Sequence, residues 1–169
     1  TLGYYAAGDG GGNSFYWDGT STATDNAGTI IMPTAVSGAG RWIAVYPNNI
    51  NVRQFGAKTD GTDTTTHFQA AIDFAASNGL VVNVPKGNYA IFTTVTLKKG
   101  VSLIGEKTNP YNAAVYYPSI ITHLPTSSNT NVFVLETPTT PTTYVSCGAV
   151  DNIFIFASPL GYTKHGFYL

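Results

Sequence analysis

The sequence predicts a mainly β protein, built as a solenoid of short stacked strands with a single helix. Three observations carry that expectation. Only 10% of the 169 residues are charged, against ~25% in ordinary domains, and Thr, Asn, Ser and Gly supply the missing polarity. Aromatics reach 13%, and with the β-branched residues they gather in short runs ended by Gly, Pro or Asn. One segment alone carries the period of an amphipathic helix.

Taken in order, residues 1 to about 46 read as short strands joined by glycine turns. Residues 2–6 and 14–17 flank Gly8-Asp9-Gly10-Gly11-Gly12-Asn13, a reversal in which glycine accepts positive φ freely. The same stretch lacks the lysine of a phosphate-binding G-x-x-x-x-G-K-[ST] loop, and no helix follows it. Residues 29–32 end at Pro33 and residues 41–46 at Pro47, where the ring removes a ladder donor. Residues 47–54 read as a linker.

The helix is expected over residues 67–77, with Phe68, Ala71, Ile72 and Ala75 along one face. Thr66 and Gln69 have the spacing of a capping box, and Asn78-Gly79 supplies the stop. A short helix among strands must cover something with that face.

Past Gly79 the chain becomes a series of strand–turn units at 80–84, 89–92, 95–97, 101–105, 119–122, 132–135 and 152–156. Residues 80–101 amount to about one coil of a repeat architecture. Such strands are too short to stand alone, whereas stacked coils bury a continuous core and pair every backbone group. A β-sandwich or jelly roll is the rival arrangement, and the missing hairpin turns favour the solenoid. Val81, Val84, Val101, Leu103, Ile153 and Ile155 are then expected to share one core on parallel strands. Alternation along 152–156 would turn Phe154 and Phe156 outward.

Net charge of −1 and a pI near 6.2 give no long-range field, which excludes a general nucleic-acid or anionic-membrane binder. Cys147 is the single cysteine, so no intrachain disulfide and no cysteine-based zinc site forms. No apolar run approaches the ~18–20 residues that cross a bilayer. The chain begins at Thr1 rather than Met and ends on Gly166-Phe167-Tyr168-Leu169, and it reads as a fragment of something larger.

Residues 50–105 resemble the start of the pectate-lyase-like right-handed parallel β-helix family. The resemblance lies in Asn51-Val52-Arg53-Gln54-Phe55-Gly56-Ala57-Lys58, Asp60-Gly61, Asp63, and Phe68-Gln69-Ala70-Ala71-Ile72. It continues through Val84-Pro85-Lys86-Gly87-Asn88-Tyr89 and residues 101–106. The family usually has a second Asp after Asp63; Thr64 stands there instead, a departure that touches a helix cap rather than chemistry. Residues 3–42 are similar to the small β module that precedes this β-helix in bacteriophage tailspikes, through Gly3-Tyr4-Tyr5, the Gly8–Gly12 stretch, Phe15, Trp17, Asp25-Asn26, Gly28-Thr29-Ile30 and Gly40-Arg41-Trp42.

The resemblance implies a right-handed parallel β-helix start with one N-terminal capping α-helix, preceded by a small β neck module. Its expected divisions are a neck at 1–46, a linker at 47–54, and the capping helix with first coils at 55–169. It also implies a trimeric spike of the virion tail that binds and cleaves a bacterial surface polysaccharide, capsule or O-antigen. Other tail proteins would join it through a preceding region. No nucleic acid, membrane insertion, metal or cofactor is expected. A non-enzymatic adhesin spike and a secreted pectinase-like enzyme are the alternatives.

Hydrolysis of a glycosidic bond needs two carboxylates about 5–9.5 Å apart. Six of the nine acids (Asp9, Asp18, Asp25, Asp60, Asp63, Asp73) lie in the neck or around the helix. Glu106, Glu136 and Asp151 fall on coils and are the catalytic candidates, each with a turn or solvent role as the plain alternative. Lyase chemistry would use a base such as Lys98, Lys99, Lys107, His123 or Lys164; all read as solvated loop positions, and His67, His123 and His165 are too scattered for a metal site. Tyr111, Tyr116 and Tyr117 are candidate sugar-stacking rings, with packing at an interface or core as the other reading.

Overall fold

From Asn49 onward the chain winds three parallel sheets around one apolar core, and a small antiparallel sheet stands before them. The computed structural model describes residues 2–106, 119–125, 130–136, 148–156 and 167–168.

The antiparallel sheet comprises β1 (Phe15–Asp18), β2 (Ile30–Ile31) and β3 (Arg41–Ala44), in the order β1-β3-β2. Trp17 lies opposite Trp42, and their rings meet edge to face at 5.3 Å. So small a sheet buries little, and side-chain ties to the backbone set its connections. Asn26 Oδ1 accepts the amides of Gly28, Thr29 and Ile30. The buried Arg41 guanidinium donates to the carbonyls of Ala23, Gly38 and Gly40. Residues 2–6, expected as a strand, form none. Their amides turn inward instead, and those of Tyr4, Tyr5 and Ala6, with that of Gly11, converge on the Asp9 carboxylate at 2.7–3.0 Å. A local carboxylate thus outcompetes strand pairing.

The segment expected as a linker carries structure. Asn49–Asn51 is β4, paired in parallel with β5 (Val81–Val84), and Val52–Phe55 is a 3₁₀ helix. A capping box does exist, but at this helix: Asn51 Oδ1 accepts the Gln54 amide while Gln54 Oε1 accepts that of Asn51. The box expected at Thr66 and Gln69 is absent.

The α-helix α1 runs Thr65–Asn78. Its start is held by Asp63, whose Oδ1 accepts the Thr65 amide at 2.9 Å, and Gln69 reaches the backbone of Thr96. Thr64, at the position of the departure, donates its hydroxyl to Ala90 O at 2.8 Å, so it stitches the helix start to the first coil. Gly79 ends the helix at φ 65°, a conformation that favours glycine. Phe68, Ala71, Ile72 and Ala75 are fully buried, as the apolar stripe predicts.

The coils follow with β6 (Gly87–Ile91), β7 (Val95–Leu97), β8 (Ser102–Gly105), β9 (Ser119–His123), β10 (Phe133–Leu135), β11 (Val150–Asp151), β12 (Phe154–Phe156) and β13 (Phe167–Tyr168). The sheets are β4-β5-β8-β11, β6-β9-β12 and β7-β10-β13, with every pair parallel. Like residues stack on like: Ile50, Val82, Leu103 and Val150 form one inward column. Tyr89, Ile121 and Ile155 form a second, and Val95 with Phe133 belongs to a third.

The expected core is corrected at Val81. Val81 and Val84 lie three apart on one strand, so period two forbids a shared face; Val82 points inward with Val84, and Val81 does not. Val84, Val101 and Leu103 are buried, and Ile153 and Ile155 pack against the core. The strand expected over 152–156 begins only at Phe154, because Asn152 turns the chain at φ 55°. Phe154 and Phe156 take the register positions of Ile120 and Thr122, which flank the buried Ile121.

Candidate functional site

Two places gather chemistry: the coil flank, and the junction between the antiparallel sheet and the capped end of the coils. On the flank, Glu136 follows β10 and accepts an ion pair from Lys98 Nζ at 2.7 Å. That hydrogen bond lowers the Glu136 carboxyl and raises the Lys98 ammonium, so Glu136 is held ionised rather than poised as an acid. Asp73, Ser77, Lys98, Lys99 and Glu136 line an open groove of about 640 Å³ between α1 and the coils.

Glu106 directly follows β8 and is exposed; its amide donates to Ser119 Oγ, which in turn donates to Val84 O. Asp151 ends β11, exposed, and accepts from Asn152 Nδ2. It lies in register with Ile104 one coil below, which places Glu106 and Asp151 on neighbouring rungs of one sheet. Glu136 stands on another sheet, so the flank does not gather all three. Tyr111, Tyr116, Tyr117, Lys107, Lys164 and His165 fall outside the described residues.

One solvated-loop expectation is corrected. His123 is fully buried at the end of β9, and burial pushes its imidazole below the ordinary value. Lys98 keeps its loop position, ion-paired with Glu136. Among the described residues no group of three or more His, Cys, Asp or Glu is placed to hold a metal.

The junction was not singled out from the sequence. Its centre is Arg53 in the 3₁₀ helix. The guanidinium donates to Asp9 O at 3.1 Å, to Lys86 O, and to Tyr89 Oη at 2.9 Å. The side chain therefore ties its own segment to two others, the Asp9 loop and residues 86–89. Tyr89 Oη passes a hydrogen bond on to Pro85 O at 2.8 Å, and burial pushes its hydroxyl up, against the lowering effect of Arg53. The close approach requires glycine at 87, where φ is 151° and a Cβ would stand 3.0 Å from Arg53 Nη2 and 2.4 Å from Thr59 Cγ2.

Beside Arg53, Gln54 Nε2 donates to Asn13 Oδ1, and Asn13 Nδ2 to Gly28 O at 3.3 Å. Above these amides opens a cleft of about 550 Å³, walled by Tyr4, Phe15, Ile31 and Trp42 with Asp25 at its rim. The sequence signal for this site is faint: polar residues at 9, 13, 53 and 54, on either side of a module boundary, with nothing in their spacing to show that they meet.

This geometry defines a class: a parallel β-helix capped at its N-terminal end by a helix and joined there to an antiparallel β module. Residues 49–143 match the family described as rhamnogalacturonase A/epimerase, pectate lyase-like. The chain belongs to that family. Residues 1–47 match the phage tail protein small four-stranded beta-sheet domain, of which the described residues form three strands.

Among solved structures, the tailspike protein of Acinetobacter phage vB_ApiP_P1 matches with a TM-score of 0.68 at 21% identity, over 99% of this chain and 27% of its own. Tailspike protein 2 of the Escherichia coli O157:H7 bacteriophage CAB120 matches with a TM-score of 0.62 at 19% identity, over 90% and 20%. The tailspike of Acinetobacter baumannii bacteriophage Fri1, a capsular polysaccharide depolymerase, matches with a TM-score of 0.57 at 21% identity, over 94% and 34%. The chain thus spans 20–34% of the lengths of these tailspikes.

Proposed function

We propose that this chain is the N-terminal part of a bacteriophage tailspike that binds and depolymerises a bacterial surface polysaccharide, capsule or O-antigen. The observation that carries the proposal is the joining, in one chain, of a phage tail β module to the capped start of a pectate-lyase-like β-helix. The depolymerase activity of the similar Fri1 tailspike supports it. In this reading residues 1–46 are the neck, and residues 55–169 are the capping helix and first coils. The protein is a homotrimer of the virion tail, acting outside the bacterial cell.

Tyr16 is half exposed on one face of the small sheet and Val45 exposed just beyond β3, apolar surface that a second copy would cover. Catalysis is assigned to coils beyond those described. Glu136 is ion-paired with Lys98, and Glu106, Glu136 and Asp151 are the carboxylates of this chain to test. Sugar stacking by Tyr111, Tyr116 and Tyr117 belongs to the same proposal.

The test is to incubate the longer protein with purified capsular polysaccharide from a host strain, with polygalacturonate as control. Reducing ends released from the capsule alone support the reading, and absorbance of an unsaturated product assigns a lyase rather than a hydrolase. Binding without release would make the spike an adhesin. Release from polygalacturonate alone would make it a pectinase.

A further inference from the structure

The cleft between the small sheet and the capped end of the coils has the chemistry of a ligand site that neither the coils nor the family match accounts for. Its volume of about 550 Å³ falls among ordinary small-ligand pockets. Part of the lining is aromatic: Phe15 and Trp42 come from neighbouring strands, and Tyr4 comes from the Asp9 loop. Trp42 meets Trp17 edge to face at 5.3 Å and remains 43% exposed, which leaves part of the side chain accessible to a ligand.

The lining also carries polar side chains that are fixed in place. Gln54 is tied to Asn13 and Asn51, and Asn13 to Gly28 O. Asp25 accepts the amides of Ala27 at 2.7 Å and Met32 at 2.8 Å. One amide on each carboxylate oxygen leaves each with further acceptor capacity.

Among the described residues no lysine or arginine lines the cleft, and the one formal charge among them is the Asp25 carboxylate. A phosphate or carboxylate ligand would meet repulsion with no cation to bind it. A purely apolar ligand would strip water from Asp25, Asn13 and Gln54 without replacing their hydrogen bonds. A pyranose satisfies both kinds of lining, since one ring face is C–H-lined and suits an indole, while its hydroxyls donate to a carboxylate and to amides. We infer that this cleft is a binding site for a neutral hexopyranose unit, built jointly by the neck (Trp42, Phe15, Asp25) and the β-helix cap (Gln54). The inference stands on the cleft itself and holds whether or not the coils cleave a polymer.

The test uses the 169-residue chain. Its two tryptophans give two indole N–H resonances, assigned with Trp17→Phe and Trp42→Phe. Methyl α-D-glucopyranoside, methyl β-D-galactopyranoside, N-acetylglucosamine and sodium glucuronate are titrated in turn. A ligand of some dozen heavy atoms at ordinary efficiency binds with a Kd on the order of 1 mM. The expected result is a saturable shift of the Trp42 resonance with at least one neutral sugar, and glucuronate weaker by about tenfold for want of a cation. Trp42→Ala should weaken binding by about tenfold or more, with Trp42→Phe intermediate and still folded. The inference is overturned if no neutral sugar gives a saturable shift up to about 50 mM, or if glucuronate binds best. It is equally overturned if raising the protein concentration alone abolishes the sugar-induced shift of the Trp42 resonance, which would mean that a second copy fills the cleft. None of these results bears on reducing-end release by the longer protein, so the two readings fail separately.

Discussion

Among the described residues, Arg53 joins the neck loop, the cap and the first coil through neutral acceptors alone. Its contacts are carbonyls and a phenol, which leaves a charge balanced by dipoles. Substitution should therefore be felt at all three segments. Arg53→Lys keeps the charge but loses the fork geometry, and is expected to lower stability by about 2–3 kcal/mol; Tyr89→Phe, which removes one partner, should lower it by about 1 kcal/mol. Urea denaturation of both variants checks the order. His123 gives the pH dependence. Burial holds its folded-state pKa below the ordinary ~6.5, so the unfolded chain takes up a proton first as pH falls. Stability should be level above that value and decline as pH drops toward the folded-state pKa. In His123→Leu the decline over that window should be absent; an unchanged pH profile would show that another group titrates there. Asp9 acts in the same direction but further down. Four backbone amides hold its carboxyl well below the usual range, so its contribution is lost only in strong acid, and it predicts no change near neutrality. None of this was legible beforehand. Arg53 and Asp9 are 44 residues apart, and no periodicity links them.

At the scale of elements, the apolar stripe on α1 was readable because helical period is a local property. Phe68, Ala71, Ile72 and Ala75 seal the open end of the coils, with Phe68 edge-on to Tyr89 at 5.5 Å. Phe68→Ala should lower stability by about 3–5 kcal/mol and expose the end of the core to a hydrophobic dye; a loss under about 1 kcal/mol would mean that the helix is dispensable as a lid. The cap was misread because several threonines and an aspartate crowd residues 62–66. Spacing alone did not show that Asp63 and Thr65 are drawn to the backbone of residues 92–93. Strand faces were legible only as far as period two was respected. Val81 and Val84 could not share a face, and the αL turn at Asn152 broke a run that composition made continuous.

From Asn49 onward the described residues form a stack of coils whose inward side chains line up from Ile50 through Val82 and Leu103 to Val150. Sequence exposed that architecture because turn residues recur at coil spacing, whereas the junction cleft depends on two modules meeting. In the proposed trimer the longer protein should run at three times its chain mass in light scattering at micromolar concentration, and a clean monomer would contradict it. The central claim is that this chain is the neck and first coils of a depolymerase whose reacting carboxylates lie further along. It is tested most directly by assaying reducing-end release from one purified capsule with the longer protein and with the 169-residue chain side by side. The account predicts release by the longer protein and only background from the chain; equal rates from the two, or none from either, would contradict it.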